Sequence, residues 1–193
     1  IQKALENTYV QKNPWGRPKP KRGAWAEEAG LKIPHVKDTQ SKRLLFTCCI
    51  QAYDPRCMVI PVNVAKILGQ CGVEFGILGA EESCCGNEIR RMGEMGLFED
   101  LQQGNAAAFK KYGVKEIFAL SPHCMNALKK EYGELGIKGN QGGKDHGRYK
   151  HRVVGQGGQL YASPQAERAE ADAGRLGGQR RVIVVAINKV QMQ

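Results

Sequence analysis

Leu44-Leu45-Phe46-Thr47-Cys48-Cys49-Ile50 is a short apolar run that ends in two adjacent thiols, and Asp54-Pro55 follows it almost at once. A run of this length and composition predicts a buried strand. Asp followed by Pro predicts an N-cap and the first turn of a helix. Ile60, Val64, Ile67/Leu68 and Cys71 then recur at helical spacing until Gly72. The unit repeats downstream. Val73-Glu74-Phe75-Gly76-Ile77-Leu78-Gly79 reads as a second strand leading to Cys84-Cys85-Gly86, and residues 88–112 read as helix broken at Gly93, Gly96 and Gly104. Val114-Lys115-Glu116-Ile117-Phe118-Ala119-Leu120 reads as a third strand, followed by Ser121-Pro122-His123-Cys124 and a helix toward Tyr132. Strand–helix alternation with short connections predicts an α/β fold, a parallel sheet with flanking helices and right-handed crossovers.

That topology gathers the sulfurs. Each cysteine group follows a predicted strand, so all three fall at the carboxyl edge of the sheet, where open α/β folds build their sites. Thirty-four residues separate Cys49 from Cys84 and 38 separate Cys85 from Cys124, as expected of equivalent points in successive units. Thiolates select soft metals: iron–sulfur clusters, zinc or copper(I). Adjacent cysteines in an extended chain point to opposite sides and suit two irons of a cluster better than one ion. A structural zinc site usually carries Cys-x-x-Cys spacers, which this chain lacks. Zinc stays open as the alternative, and a Cys84–Cys85 disulfide engaged in thiol exchange is a third reading.

Ser121 as N-cap and Pro122 in the first turn would place Cys124 at the positive end of a helix, which favours the thiolate. Cys49 is the expected ligand of its pair, with Cys48 facing the sheet or a neighbouring sulfur. Cys57 reads as a surface or neighbouring thiol, and Cys71 lies on the apolar helix stripe and reads as core. His123 suits a hydrogen bond to a cluster sulfide, a substrate contact or a surface position.

The formal net charge is +10, and its location decides what it means. Residues 1–43 carry ten Lys/Arg against four acids and residues 139–193 nine against four, while residues 44–138 carry ten against eleven. The positive excess therefore flanks the cysteines. No basic groove with interleaved aromatics is present, which argues against nucleic acid. An odd number of cysteines without an export signal points to a reducing compartment and to ligands rather than staples. No apolar stretch approaches the roughly 20 residues that cross a bilayer. The expected location is cytoplasmic or peripheral on the inner face of the membrane. The absence of an initiating Met suggests a fragment.

Three regions are expected: a basic arm or linker over 1–43, a cysteine-rich domain over 44–138 and an irregular tail over 139–193. The arm reads as extended because of Asn13-Pro14-Trp15-Gly16 and Arg17-Pro18-Lys19-Pro20-Lys21-Arg22-Gly23, with Trp15 and Trp25 as anchors. The tail holds ten glycines and little periodicity before Arg181-Val182-Ile183-Val184-Val185-Ala186-Ile187, and residues 139–170 read as poorly ordered.

The chain resembles the cysteine-rich CCG domain of iron–sulfur oxidoreductase subunits. That family includes heterodisulfide reductase and the iron–sulfur subunits of glycolate, lactate and glycerol-3-phosphate oxidation systems. The likeness runs from about residue 13 to 138. It rests on Asn13-Pro14-Trp15-Gly16, Cys49-x3-Tyr53-Asp54-Pro55-Arg56, Gly72-Val73-x-Phe75-Gly76-Ile77-Leu78-Gly79, Glu82-Ser83-Cys84-Cys85-Gly86-Asn87, Arg90-Arg91-x-Gly93 and Ser121-Pro122-His123-Cys124. It implies a [4Fe-4S]-type cluster, sometimes non-cubane, that passes electrons to or from a disulfide, quinone or flavoprotein partner. The implied ligands are Cys49, Cys84, Cys85 and Cys124, with Cys48 as a fifth only in a non-cubane site. The implied partners are other components of the same oxidoreductase, a flavoprotein or a membrane quinone-reactive protein. The alternative is a zinc-stabilised or cluster-free interaction module.

Three features depart from that family. Ser121 stands where many members have cysteine. The sequence begins after the point where the ferredoxin-like domain expected upstream would end. Asp172-Ala173-Gly174-Arg175-Leu176-Gly177-Gly178 resembles an eroded second cysteine motif, so residues 139–193 read as a poorly ordered or degenerate remnant of a second domain.

Overall fold

A computed structural model describes residues 1–132 and three strand segments at 153–154, 160–161 and 181–184. Strand β1 (Arg43–Phe46) pairs in parallel with β2 (Glu116–Ala119), in a register that sets Leu44 opposite Ile117 and Phe46 opposite Ala119. Leu44, Leu45 and Phe46 are all buried, and so are Ile117, Phe118 and Ala119. Continuous rather than alternating burial is the mark of a parallel strand covered on both faces.

The expected second strand is reduced to two bridges. Gly76 pairs with Leu44 and Ile77 with His35, both in parallel sense. A Cβ on Gly76 would lie 2.6 Å from Val36 Cα, so glycine is what lets segment 34–36 close on this edge. The expected first strand is also shorter than its apolar run. Cys49 opens helix α3 (Cys49–Tyr53) instead of ending a strand, and Asp54 is the C-cap of that helix, not the N-cap of the next. The Asp54 carboxylate holds the Arg56 backbone N–H and guanidinium, and α4 (Val59–Gln70) begins only at Val59.

Gly93, at φ 87°, separates α5 (Asn87–Arg91) from α6 (Met95–Lys111). Gly96 and Gly104 lie inside α6 without breaking it. After β2 comes α7 (Pro122–Asn126), continued by one π turn over Ala127–Glu131.

Residues 1–43 are not an extended arm. They form α1 (Gln2–Gln11), a 3₁₀ turn at Lys19–Gly23, α2 (Ala24–Glu28) and a 3₁₀ turn at Val36–Asp38. Trp25 is 1% exposed and packs in the core with Ala26 and Val36. Trp15 is 42% exposed and lies outside that core. The Asn13 side chain ties this segment together: its oxygen accepts from the Trp15 and Arg17 N–H groups, and its nitrogen donates to the Gln11 and Arg17 carbonyls.

Beyond residue 132, β3 (Val153–Val154) pairs antiparallel with β4 (Leu160–Tyr161). β5 (Arg181–Val184) adds to β2 as a third parallel strand. The expectations for most of 139–170 and for the 172–178 motif fall outside the described residues. The fold is a helix-dominated α/β arrangement around a small parallel sheet. No helix among the described residues is long and apolar enough to cross a membrane.

Candidate metal centre

Three connections leave the same edge of the sheet and carry the sulfurs inward. Cys48 and Cys49 follow β1, Cys84 and Cys85 follow the bridge segment, and Cys124 lies in α7 after β2. Cys49, Cys84, Cys85 and Cys124 are buried, Cys124 completely, while Cys48 is partly exposed. Their thiols lie close enough to shift one another's ionisation along one run: Cys49 with Cys84, Cys84 with Cys85, and Cys124 with both Cys85 and Cys48. None of the five is in a disulfide. The structure brings together the four expected ligands and Cys48 beside them. Cys57 and Cys71 stand apart from that run, both partly exposed, with Cys71 at the end of α4 rather than inside the core.

The run polarises one sulfur. Hydrogen bonds from Cys124 and then Cys84 lower the Cys85 thiol from an ordinary 9.0 to about 6 despite its burial. The donors move the other way. Cys124 is held well above the ordinary range by its bonds to Cys48 and Cys85 and by burial. Cys49 is raised by its bond to Cys84 and by burial, against the pull of Arg22. Cys84 accepts from Cys49, which lowers it, but its bond to Cys85 and its burial push it up.

The Cys84-Cys85 loop is held by neutral groups. The Cys84 N–H donates to the Lys12 carbonyl at 2.8 Å. Asn105, on α6 and fully buried, accepts from the Ser83 N–H at 2.9 Å and donates to the Ser83 and Cys84 carbonyls. The Tyr132 hydroxyl receives the Asn105 amide and donates to the Cys85 carbonyl at 3.2 Å. Gly86 has φ 78° and would place a Cβ 2.6 Å from Phe98 Cδ2, so both its backbone and its packing require glycine. Its N–H points at Cys84 Sγ, 3.5 Å away.

The Cys48-Cys49 turn is held by charge. Glu82, 1% exposed, accepts the Thr47 N–H at 3.0 Å and the Cys48 N–H at 3.1 Å, which turns the chain from β1 into α3. Cys48 takes φ 67°, a left-handed backbone uncommon for a residue with a side chain. Arg22, 2% exposed, pairs with Glu82 at 2.7 Å and directs Nη1 to Cys49 Sγ at 3.4 Å. Burial opposes the Arg22 charge, but Cys49 and Glu82 hold it firmly charged.

Arg22, Glu82, Asn105 and Tyr132 are absent from the residues expected from sequence alone. Glu82 is marked in the sequence by its place in the motif Glu82-Ser83-Cys84-Cys85-Gly86-Asn87 and Arg22 only as a base in a proline-rich stretch; Asn105 and Tyr132 carry no signal. His123 is largely exposed and lies 3.6 Å from Glu88, which matches the surface reading of that residue. Ser121 occupies the N-cap position but its hydroxyl makes no capping bond; its carbonyl accepts from Met125.

Among the described residues, no group of three or more His, Cys, Asp or Glu is set to hold a metal ion. The donor set is nonetheless soft and dense. Buried sulfurs from three segments, joined in one run, fit a sulfur-bridged cluster, whose protein ligands attach to different metal atoms, better than one tetrahedral ion.

The family model described as "Cysteine-rich domain" (CCG) matches residues 43–129. The chain is 35% identical over 144 residues to "Probable iron-sulfur-binding oxidoreductase FadF" of Bacillus subtilis, covering 72% of this chain and 20% of that protein. It is 35% identical over 139 residues to "EtfAB:quinone oxidoreductase" of Syntrophomonas wolfei, covering 70% and 20%. It is 28% identical over 167 residues to "Probable membrane-anchored ferredoxin" of Chromohalobacter salexigens, covering 85% and 25%. Components of the dihydromethanophenazine:CoB--CoM heterodisulfide reductases of Methanosarcina species match as well, at 30% identity over 106 residues in Methanosarcina mazei, covering 53% and 25%. The chain thus spans about a fifth to a quarter of the length of these curated relatives. No solved structure matches it. Residues 43–129 are thus a CCG cysteine-rich domain, similar to segments of proteins named as an iron–sulfur-binding oxidoreductase, a quinone oxidoreductase and heterodisulfide reductase components.

Proposed function

We propose that this chain is an electron-transfer segment of a larger oxidoreductase. In this reading Cys49, Cys84, Cys85 and Cys124 hold a [4Fe-4S]-type cluster, with Cys48 adjacent to it. The observation that carries the proposal is the single buried run of thiols drawn from three chain segments at one sheet edge. The cluster, when bound, supplies one-electron chemistry. The chain's own residues do the rest. Asn105 and Tyr132 fix the Cys84-Cys85 loop, Glu82 fixes the Cys48-Cys49 turn, and the packed core excludes water from the buried thiols. Cys85, whose thiol is lowered to about 6 by its bonds to Cys124 and Cys84, is the most acidic of these sulfurs, which favours the metal-binding thiolate.

The names of the relatives supply EtfAB, a quinone and a heterodisulfide as partner classes for this proposal, and the family resemblance adds a flavoprotein. Residues 139–193 are proposed as a degenerate remnant of a second domain. Anaerobic reconstitution of the chain followed by iron and acid-labile sulfide analysis tests the reading. About four irons per chain with matching sulfide is the expected result. Stoichiometric zinc without sulfide replaces it with the zinc-stabilised module, and a chain that folds and binds neither metal replaces it with a cluster-free docking module.

A further inference from the structure

We infer that Arg22 is a positioning residue that sets the reduction potential of the metal group bound at Cys49, an inference that rests on the reading above. Arg22 lies outside the residues matched by the cysteine-rich family model, in the 3₁₀ turn Lys19–Gly23. It is among the largest fully buried side chains of the molecule. An arginine serving only as a salt-bridge partner normally lays two nitrogens against two carboxylate oxygens. Here Nε and Nη2 converge on one oxygen, Glu82 Oε1, at 2.9 and 2.7 Å. That leaves Nη1 to turn to Cys49 Sγ at 3.4 Å. The other Glu82 oxygen is taken by the Thr47 N–H. The guanidinium carbon lies 5.9 Å from the Tyr53 ring centroid, so an aromatic face covers it.

The consequence is electrostatic. Uptake of one electron by a thiolate-bound centre adds one negative charge and forms or breaks no bond at Arg22. A fixed positive charge on the ligand sulfur, shielded from water, lowers the cost of that added charge. Hydrogen bonds to cluster sulfurs are an established lever on potential. Glu82 works in the opposite sense, because its charge partly cancels the guanidinium. The two residues therefore make a signed pair: removing Arg22's charge lowers the potential, and removing Glu82's charge raises it.

The test is an anaerobic titration of the reconstituted full chain, with dithionite supplying the electron and mediator dyes equilibrating it, followed by electron paramagnetic resonance. Arg22→Gln is expected to weaken the reduction equilibrium at least tenfold, or about 59 mV for one electron. Glu82→Gln, which removes the charge and keeps one of the two acceptor oxygens, shifts it the other way. Arg22→Lys returns it toward the wild-type value. Lys21→Gln, one residue away and exposed, removes the same charge and leaves the potential unmoved. Should Arg22→Gln fail to fold by circular dichroism, the Glu82→Gln rise and the Arg22→Lys value decide the matter. A potential insensitive to residues 22 and 82, or one moved the same way by both neutral variants, overturns the inference while leaving the iron–sulfur reading standing. A wild-type chain that takes up no iron and sulfide ends both.

Discussion

Cys48-Cys49 and Cys84-Cys85 are both adjacent thiol pairs, yet the chain holds them by different means. The first pair sits at a strand-to-helix turn with a left-handed residue, fastened by a buried carboxylate and its arginine. The second lies in a loop with both thiols buried, fastened by a main-chain carbonyl, an amide and a phenol. A charged clamp is strong only while both charges are present, because a lone buried ion is costly. A neutral clamp fails by degrees, one hydrogen bond at a time. The same chemistry of two neighbouring sulfurs is therefore supported once by an all-or-none device and once by a graded one.

The largest effect is expected from breaking the charged clamp. Glu82→Ala strands Arg22 and frees two N–H groups, and urea unfolding of the metal-free chain is expected to show a loss of about 3–5 kcal/mol. Breaking the neutral clamp comes next. Asn105→Ala leaves the Ser83 and Cys84 main-chain groups and the Tyr132 hydroxyl short of a partner, with a loss of about 3 kcal/mol in the same assay. If Asn105→Ala costs more than Glu82→Ala, the ranking of the two clamps is wrong. Gly86→Ala is expected to lose about 2 kcal/mol through its positive φ and the 2.6 Å approach to Phe98. A neutral Gly86→Ala would show that the second loop has room to shift.

The pairs also differ in titration. Cys85 is depressed from 9.0 to about 6, so its contribution to stability is fully present above pH 9 and is lost as pH falls through about 6. Cys49, Cys84 and Cys124 are raised, so theirs is present below pH 9 and lost as pH rises further. The unfolding midpoint of the metal-free chain is expected to climb from about pH 6 to about pH 9 and fall above it. Cys85→Ser should remove the climbing limb. The smallest effect is reserved for the partly exposed thiol. Cys48→Ser is expected to retain about four irons per chain after reconstitution, and loss of iron would make Cys48 a ligand.

Local chemistry exposed much of this in advance. Leu44-Leu45-Phe46 and Ile117-Phe118-Ala119 read as buried strands because continuous apolar runs have few other places to go. Their parallel pairing then aligned the cysteines at one edge. The turn at Cys48 was hidden because two cysteines after an apolar run look like more strand; what bends the chain there is Glu82, 34 residues away. Asn105 lies in an ordinary helical stretch of sequence, and nothing there marks a residue whose partners lie on another loop. Trp15 and Trp25 looked alike, and only packing separates the exposed one from the buried one.

The sequence by itself determined which residues are thiols, which runs must be buried and, through short strand–helix alternation, that the thiols share one end of a sheet. These follow from periodicity and covalent spacing, which are local. Only the tertiary structure decided that a basic residue in a proline-rich stretch is buried beside Cys49, that Glu82 steers the first pair, and that Cys85 carries the acidic thiol. Each of those depends on groups brought together from distant positions, where burial and electrostatics act through space and leave little mark along the chain.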